Sequence, residues 1–489
     1  ALYSNLEALA HYDTAATFAE PGGTSAQRIA EKRGDVAFRL GRLELAIEAW
    51  EGCLAHHVER DEREQVAELH RKIGSALAHK GERKLAIEHH QRGINLVKDL
   101  PPSLALVRLY EEAAWLYMQV GDNMLAIYAS EKALRLAESL GEVRAAGRAH
   151  GIFGRVFGRI GDKAKARENL ERAVELARDS DAGETVLALL AQGHNLEHSE
   201  GDYDGAKGCY VEALELAEKI GDLPGQIELE AALGELAFHR CDWEELRRAS
   251  DASAELAERE GLVGKLCLAS ALRGRLRWRE GEWDAAESLF ARAHELAGRA
   301  GLSEVSVEAL MGLADTLRDR GDLAGAEATL EQALAICERA GLISQSVQAH
   351  AAMTQVLSVT ERVPSAREAA EQAQTLAAQV HDPVSEACAL EARGLVAQPV
   401  DALRALGEAR AAWERLDRPL DIARCDVLLG RCLLDGDPSA AAEAFRRAGD
   451  RYAALGVDHL AKGAEEHAGL SRPSSPAQAL PLRGGADAR

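Results

Sequence analysis

Residues 201–222, GDYDGAKGCYVEALELAEKIGD, read as one helix bounded by a Gly-Asp turn at each end. Near-copies recur along most of the chain. The turn glycine returns as Gly41, Gly81, Gly121, Gly161, Gly201, Gly281 and Gly321, with Cys241 and Glu361 in the same register, a period of 40 residues. A fixed period of this length marks a repeat architecture, in which each unit buries its apolar face on its neighbours. Five and twelve residues after the turn come small residues, as in Ala46 and Cys53, Ala166 and Ala173, or Ala206 and Ala213. Between them, nine after the turn, sit mostly larger side chains such as Trp50, His90, Leu170, Tyr210, Phe290 and Leu330. Seven residues before the turn, Gly34, Gly74, Ala114, Gly154, Gly234, Gly274 and Ala314 form a close-approach position on the preceding helix. A helix-interior glycine costs about 0.5–1 kcal/mol, so its return at one phase points to tight helix packing.

The composition fits an all-helical reading. Of 489 residues, 47% are hydrophobic, 28% charged and only 4% aromatic, with 12 prolines. The fixed period implies one elongated array instead of several globular domains. The net charge of −22, from 58 Lys+Arg against 80 Asp+Glu, and the absence of a basic run argue against direct binding of nucleic acid. No apolar run approaches the roughly 18 residues of a membrane span, and no leader pattern opens the chain, so no membrane partner and a cytoplasmic location are expected. The eight cysteines form no CxxC pair and read as small core residues in a reducing compartment.

Residues 1–23 read as the second helix of an incomplete unit, which suggests a piece of a longer polypeptide. The regular array occupies 24–382, with first helices of about 14 residues and second helices of about 16. Shorter, divergent units follow over 383–456, then a capping helix over 457–469. Residues 470–489 are rich in Pro, Ser, Gly and Ala and are expected to be disordered. Two units depart from the pattern: one carries Leu246, Ser250 and Ser253 at the packing positions, the other Pro364 near the start of its second helix. Looser joints are expected there.

The small, large, small pattern around a Gly-Asp turn resembles the tetratricopeptide repeat, over about residues 24–456. That family's usual unit is about 34 residues. A period of 40 is similar to the longer-helix variety of Pins-like scaffolds and of the C-terminal arrays of bacterial regulatory ATPases, transcription regulators and nucleotide cyclases. Residues 69–97, LHRKIGSALAHKGERKLAIEHHQRGINLV, look most like the bacterial arrays. The resemblance implies a right-handed α-solenoid of stacked antiparallel helix pairs, the tetratricopeptide-repeat superhelix.

One string suggests catalysis. His194-Asn195-Leu196-Glu197-His198 matches the HxxEH arrangement of inverted zinc peptidases, in which two histidines hold zinc and the glutamate acts as base. Here His194 falls on the close-approach position, so a packed histidine beside a groove-facing His198 is the plainer reading. GRIGDKAKAR, residues 158–167, is an ordinary interhelix turn and not a phosphate loop. No catalytic, cofactor-binding or metal-binding residue is assigned.

The resemblance implies instead a concave surface lined by first helices, with ligand contacts at set positions before the turn glycine. Read onto this chain, these are Arg71, Arg108, Trp115, Arg148, Arg155, Asn195, His198, Arg275, Trp278 and Arg318. Glu111, Glu228, Glu235, Glu308 and Asp315 share the face. The arginine-bearing stretch between 71 and 159 suits the carboxylates of an acidic peptide or protein, because guanidinium pairs with carboxylate bidentately. The expected function is a non-catalytic interaction scaffold or sensor module binding a peptide or protein in the groove, within a larger bacterial signalling protein. The alternative is a module that self-associates or packs on an adjacent ATPase or cyclase domain.

Overall fold

The computed structural model describes residues 2–20, 23–80, 82–120, 122–259, 262–360 and 362–470. The described residues form 24 α-helices. They are α1 (Leu2–Phe18), α2 (Thr24–Arg39), α3 (Leu43–Val58), α4 (Arg63–His79), α5 (Arg83–Val97), α6 (Leu104–Gln119), α7 (Asn123–Leu140) and α8 (Val143–Arg159). Next come α9 (Lys163–Arg178), α10 (Ala182–His194), α11 (Tyr203–Ile220), α12 (Leu223–Arg240), α13 (Trp243–Arg259), α14 (Leu266–Glu280), α15 (Trp283–Arg299) and α16 (Ser303–Arg320). The last eight are α17 (Leu323–Ala340), α18 (Ile343–Val359), α19 (Val363–Val380), α20 (Pro383–Val396), α21 (Pro399–Arg415), α22 (Pro419–Leu433), α23 (Pro438–Ala454) and α24 (Asp458–Leu470). First helices begin earlier than their apolar pattern, so α4 and α8 each span 17 residues instead of about 14. The architecture is an all-α solenoid of antiparallel helix pairs, with no strand among the described residues.

The turn chemistry accounts for the hairpins. Gly41, Gly161, Gly201, Gly281 and Gly321 all take positive φ, as does Cys241 in their register. The following aspartate caps the next helix where it can: Asp122, Asp162, Asp202 and Asp322 each accept from a first-turn backbone N–H. Gly81, Gly121, Glu361 and the segment 471–489 lie outside the described residues.

The close-approach position works through one contact. A Cβ on Gly274 would sit 2.8 Å from Phe290 Cε1, and one on Gly430 would meet Phe445 at the same distance. The large residue of each second helix therefore rests on the bare backbone of its first helix. We expect Gly274→Ala to lower stability by about 1–3 kcal/mol, because ring overlap outweighs the helix-propensity gain. Gly208→Ala, on an exposed face of α11 with nothing within 4 Å, should instead raise it by about 0.5–1 kcal/mol. Thermal unfolding of both variants decides the point; a shift of the same sign in the two would overturn the contact. In the divergent unit, Leu246, Ser250 and Ser253 are fully buried, and Leu272 fills the space beside Gly234, 2.6 Å from where a Cβ would be. That joint is filled from the next unit, not left loose.

First helices of successive units touch one another, α4 with α6 and α14 with α16, which puts them on the inner radius. The curve is tight enough for successive superhelical turns to meet. Arg83 Nη2 donates to Ser303 Oγ at 3.3 Å across a sequence separation of 220 residues, five and a half repeats. Farther along the same seam, Arg418 donates to the Tyr203 hydroxyl at 3.3 Å and Trp243 Nε1 to the Leu455 carbonyl at 2.7 Å. Apolar contacts join in, with Tyr203 and Leu236 clustered among Val384, Trp413, Leu416 and Ile422. Turns within units of the lower coil thus face turns between units of the upper coil.

Candidate binding groove

Most of the charge on the inner face is neutralised internally. Arg71 pairs with Glu68 at 2.7 Å and with Glu112, which also takes the Ser75 hydroxyl and His90 Nε2. Burial opposes ionisation of Glu112, yet His90 and Arg71 hold its pKa down to about 2. Arg148 is held by Glu111 at 3.3 Å and Glu184 at 2.7 Å, while burial pushes Glu111 up to about 7. Arg275 binds Glu235 at 2.8 Å and lies over the Phe238 ring. Arg318 is taken by Asp315 at 2.7 Å and Asp319 at 2.9 Å. Glu228 is occupied by Lys265. Burial, and then the neighbouring Glu235, raise Glu308 well above the ordinary carboxylate range.

Two expected contact residues are buried. Trp278 is 7% exposed and packs with Phe290 and Val457 while its Nε1 donates to Asp319 at 2.9 Å. Asn195 is also 7% exposed and donates to Glu200 at 3.1 Å. These side chains are structural, which corrects the expectation that they face a ligand.

The displacement of Asn195 has a local cause. In this unit Gly193, and not His194, fills the close-approach position: a Cβ there would overlap the Tyr210 ring. Gly193 stands eight residues before Gly201 where the other units have seven, and residues Asn195–Glu200 absorb the extra one as a π-helical turn. His194 is thereby released from the packing position and lies with its ring 5.9 Å from that of His198. Burial first, then His198 and Arg155, push the His194 pKa down to about 3, so it is neutral at pH 7. Glu197 is 3% exposed and accepts from the Tyr210 hydroxyl at 2.8 Å, inside the packing against α11. The histidines and the glutamate therefore do not share an open site, and no group of three metal-ligating side chains is assembled among the described residues.

What remains uncommitted is compact. Arg155 lies over the Trp115 ring with its guanidinium carbon 4.3 Å from the centroid. Among the described residues it has neither an ion pair nor a hydrogen bond. Burial lowers its pKa to about 10, opposed by distant Glu304 and assisted by Arg159. Trp115 is 37% exposed. Arg108, seven residues earlier on α6, is exposed and likewise lacks an ion pair among the described residues. With His194 and the exposed His198, these side chains lie along α6, α8, the end of α10 and the π turn that follows it. Sequence reasoning placed four of the five here; the eight-residue spacing from Gly193 to Gly201 was the available signal for His194.

Comparison with known proteins gives the following matches. A family model described as tetratricopeptide repeat matches residues 265–339, and a second with the same description matches 147–180. The structure of a Rap protein complexed with Competence and Sporulation Factor has a TM-score of 0.52 and 14% identity, covering 75% of this chain and 99% of that one. The APC/C hetero-tetramer Cut9–Hcn1 gives 0.49 at 12% identity, with 92% and 91% covered. Yeast Tom70 gives 0.38 at 14% identity, with 91% and 96% covered. No curated protein matches the sequence.

Proposed function

We propose that this chain, a tetratricopeptide-repeat array, is a non-catalytic interaction scaffold or sensor module that holds an acidic peptide or protein segment in its concave groove. The supporting observation is Arg155. On an inner face where Arg71, Arg148, Arg275 and Arg318 each have carboxylate partners, this guanidinium rests on an aromatic ring without one. Burial of an uncompensated cation is costly, and a ligand carboxylate would relieve that cost. Trp115 would supply apolar contact beside the charge, and Arg108 a second cation along the groove. Placement in a larger bacterial signalling protein rests on the resemblance of residues 69–97 to the arrays of bacterial regulators.

Peptide display against the full chain tests the reading. Wild type should enrich peptides carrying Asp or Glu, and Arg155→Glu should weaken their binding by about tenfold or more. Helical content should be unchanged, since Arg155 supports no ion pair. Retained affinity in that variant, or enrichment without acidic residues, would overturn the assignment. Arg148→Glu is a poor probe, because it would leave Glu111 and Glu184 facing a third carboxylate.

A further inference from the structure

A second cationic feature lies outside the concave groove, on the seam between superhelical turns. There the N-terminus of α5 faces the ends of α15, α16 and α17 across a cleft of about 670 Å3. Lys80, Arg83 and Lys84 line it from the lower turn, and Arg339 from the upper. Glu82 is the one carboxylate among the lining residues, and it pairs with Lys80 at 3.0 Å, as Glu44 does at 3.5 Å. Lys80 is thus offset, whereas Arg83, Lys84 and Arg339 have no ion pair among the described residues. Arg83 is half-buried and has only the Ser303 hydroxyl, at 3.3 Å. Its ionisation is disfavoured by burial, with Glu304 opposing and Arg159 adding to the effect. In a chain of net charge −22 this is a local inversion of sign.

The backbone is mixed. Helices α5 and α16 both begin at the cleft, and neither N-cap, Glu82 or Leu302, gives a side-chain cap to the first turn. Helices α4, α15 and α17 end at the same cleft, so the helix dipoles offset one another and the excess positive charge there is that of the side chains. His294, which meets Ser306 Oγ at 2.8 Å, completes a polar wall on the upper side.

We propose that this cleft binds a small anion bearing several phosphates, which bridges Arg83 and Lys84 of the lower superhelical turn to Arg339 of the upper. Three cations from two coils suit a ligand with charge at both ends, since a single anion would leave one side unpaired. Binding therefore favours the arrangement in which the two coils meet at the seam.

The test titrates the full chain with inorganic tripolyphosphate and, separately, with ATP by calorimetry at about 0.1 M salt, where exposed charges are partly screened. The expected result is one site per chain. Arg83→Ala and Arg339→Ala should each weaken binding by about tenfold. Arg292→Ala, which removes an exposed arginine outside the cleft, should leave it unchanged. Small-angle scattering should report a smaller radius of gyration with ligand bound. Equal affinity for the two probes assigns binding to the phosphates alone, and tighter ATP binding adds a nucleoside contact; either supports the site. No binding by wild type, or an equal loss in Arg292→Ala, overturns it. Arg339 is exposed, so a variant there keeps the test valid if Arg83→Ala misfolds.

Discussion

Glu391→Ala should destabilise the C-terminal third of the array by about 3–5 kcal/mol, the range for removing one partner of a buried charge pair. Glu391 is 1% exposed on α20 and binds groups from three other helices. It accepts from Trp413 Nε1 on α21, from Arg424 Nε and Nη2 on α22 at 3.0 and 2.9 Å, and from Gln355 Nε2 on α18 at 3.3 Å. Burial acts to lower the Arg424 pKa, but Glu391 and Asp421 raise it well above its ordinary value. Without Glu391 the guanidinium keeps only Asp421, at 2.6 Å, and the fully packed Trp413 loses its acceptor. Glu391→Gln preserves shape and one acceptor and should cost less. Because repeats unfold in part, a single global transition is a poor reporter; hydrogen exchange resolved by segment is better. Faster exchange should be confined to α18 and α20–α23. A loss below about 1 kcal/mol, or exchange changes spread evenly along the chain, would refute this account.

This junction also shows where sequence reading stops. The period, the turns and the phases of the small and large packing positions were legible because each unit repeats them at fixed offsets from its turn. The inner-face arginines were legible as positions but not as free or occupied. Arg148 and Arg155 stand two helical turns apart on one face of α8, yet Glu111 and Glu184 of neighbouring units claim only the first. Asn195 was misplaced because one inserted residue was absorbed as a π turn instead of shifting the next glycine. The seam depends on curvature accumulated over five and a half units, and no local pattern encodes that sum. Only afterwards does the sequence explain it, through residues such as Trp243 and Leu416 placed at turns that a single-layer solenoid would leave in water.

The seam can be tested at the glycine that opens the most regular repeat. Gly41 and Gly201 hold the same place in their units, with φ of +71° and +73°. Valine at either site must enter the left-handed region, at a cost of about 1–3 kcal/mol for a β-branched residue. A Cβ on Gly41 meets nothing within 4 Å, so that strain is the whole expected cost. A Cβ on Gly201 would overlap Leu416 of the upper coil and come 3.4 Å from Pro383 Cγ. Leu416 is 5% exposed among Tyr203, Trp413 and Ile422 and has little room to yield. Gly201→Val should therefore lose a further 1–3 kcal/mol, roughly, from overpacking. It should also widen the molecule in small-angle scattering, which Gly41→Val should not, because the least costly relief is to part the two coils. Equal destabilisation by the two substitutions, with equal radii, would mean that the coils do not touch in solution and that the groove is open along its length.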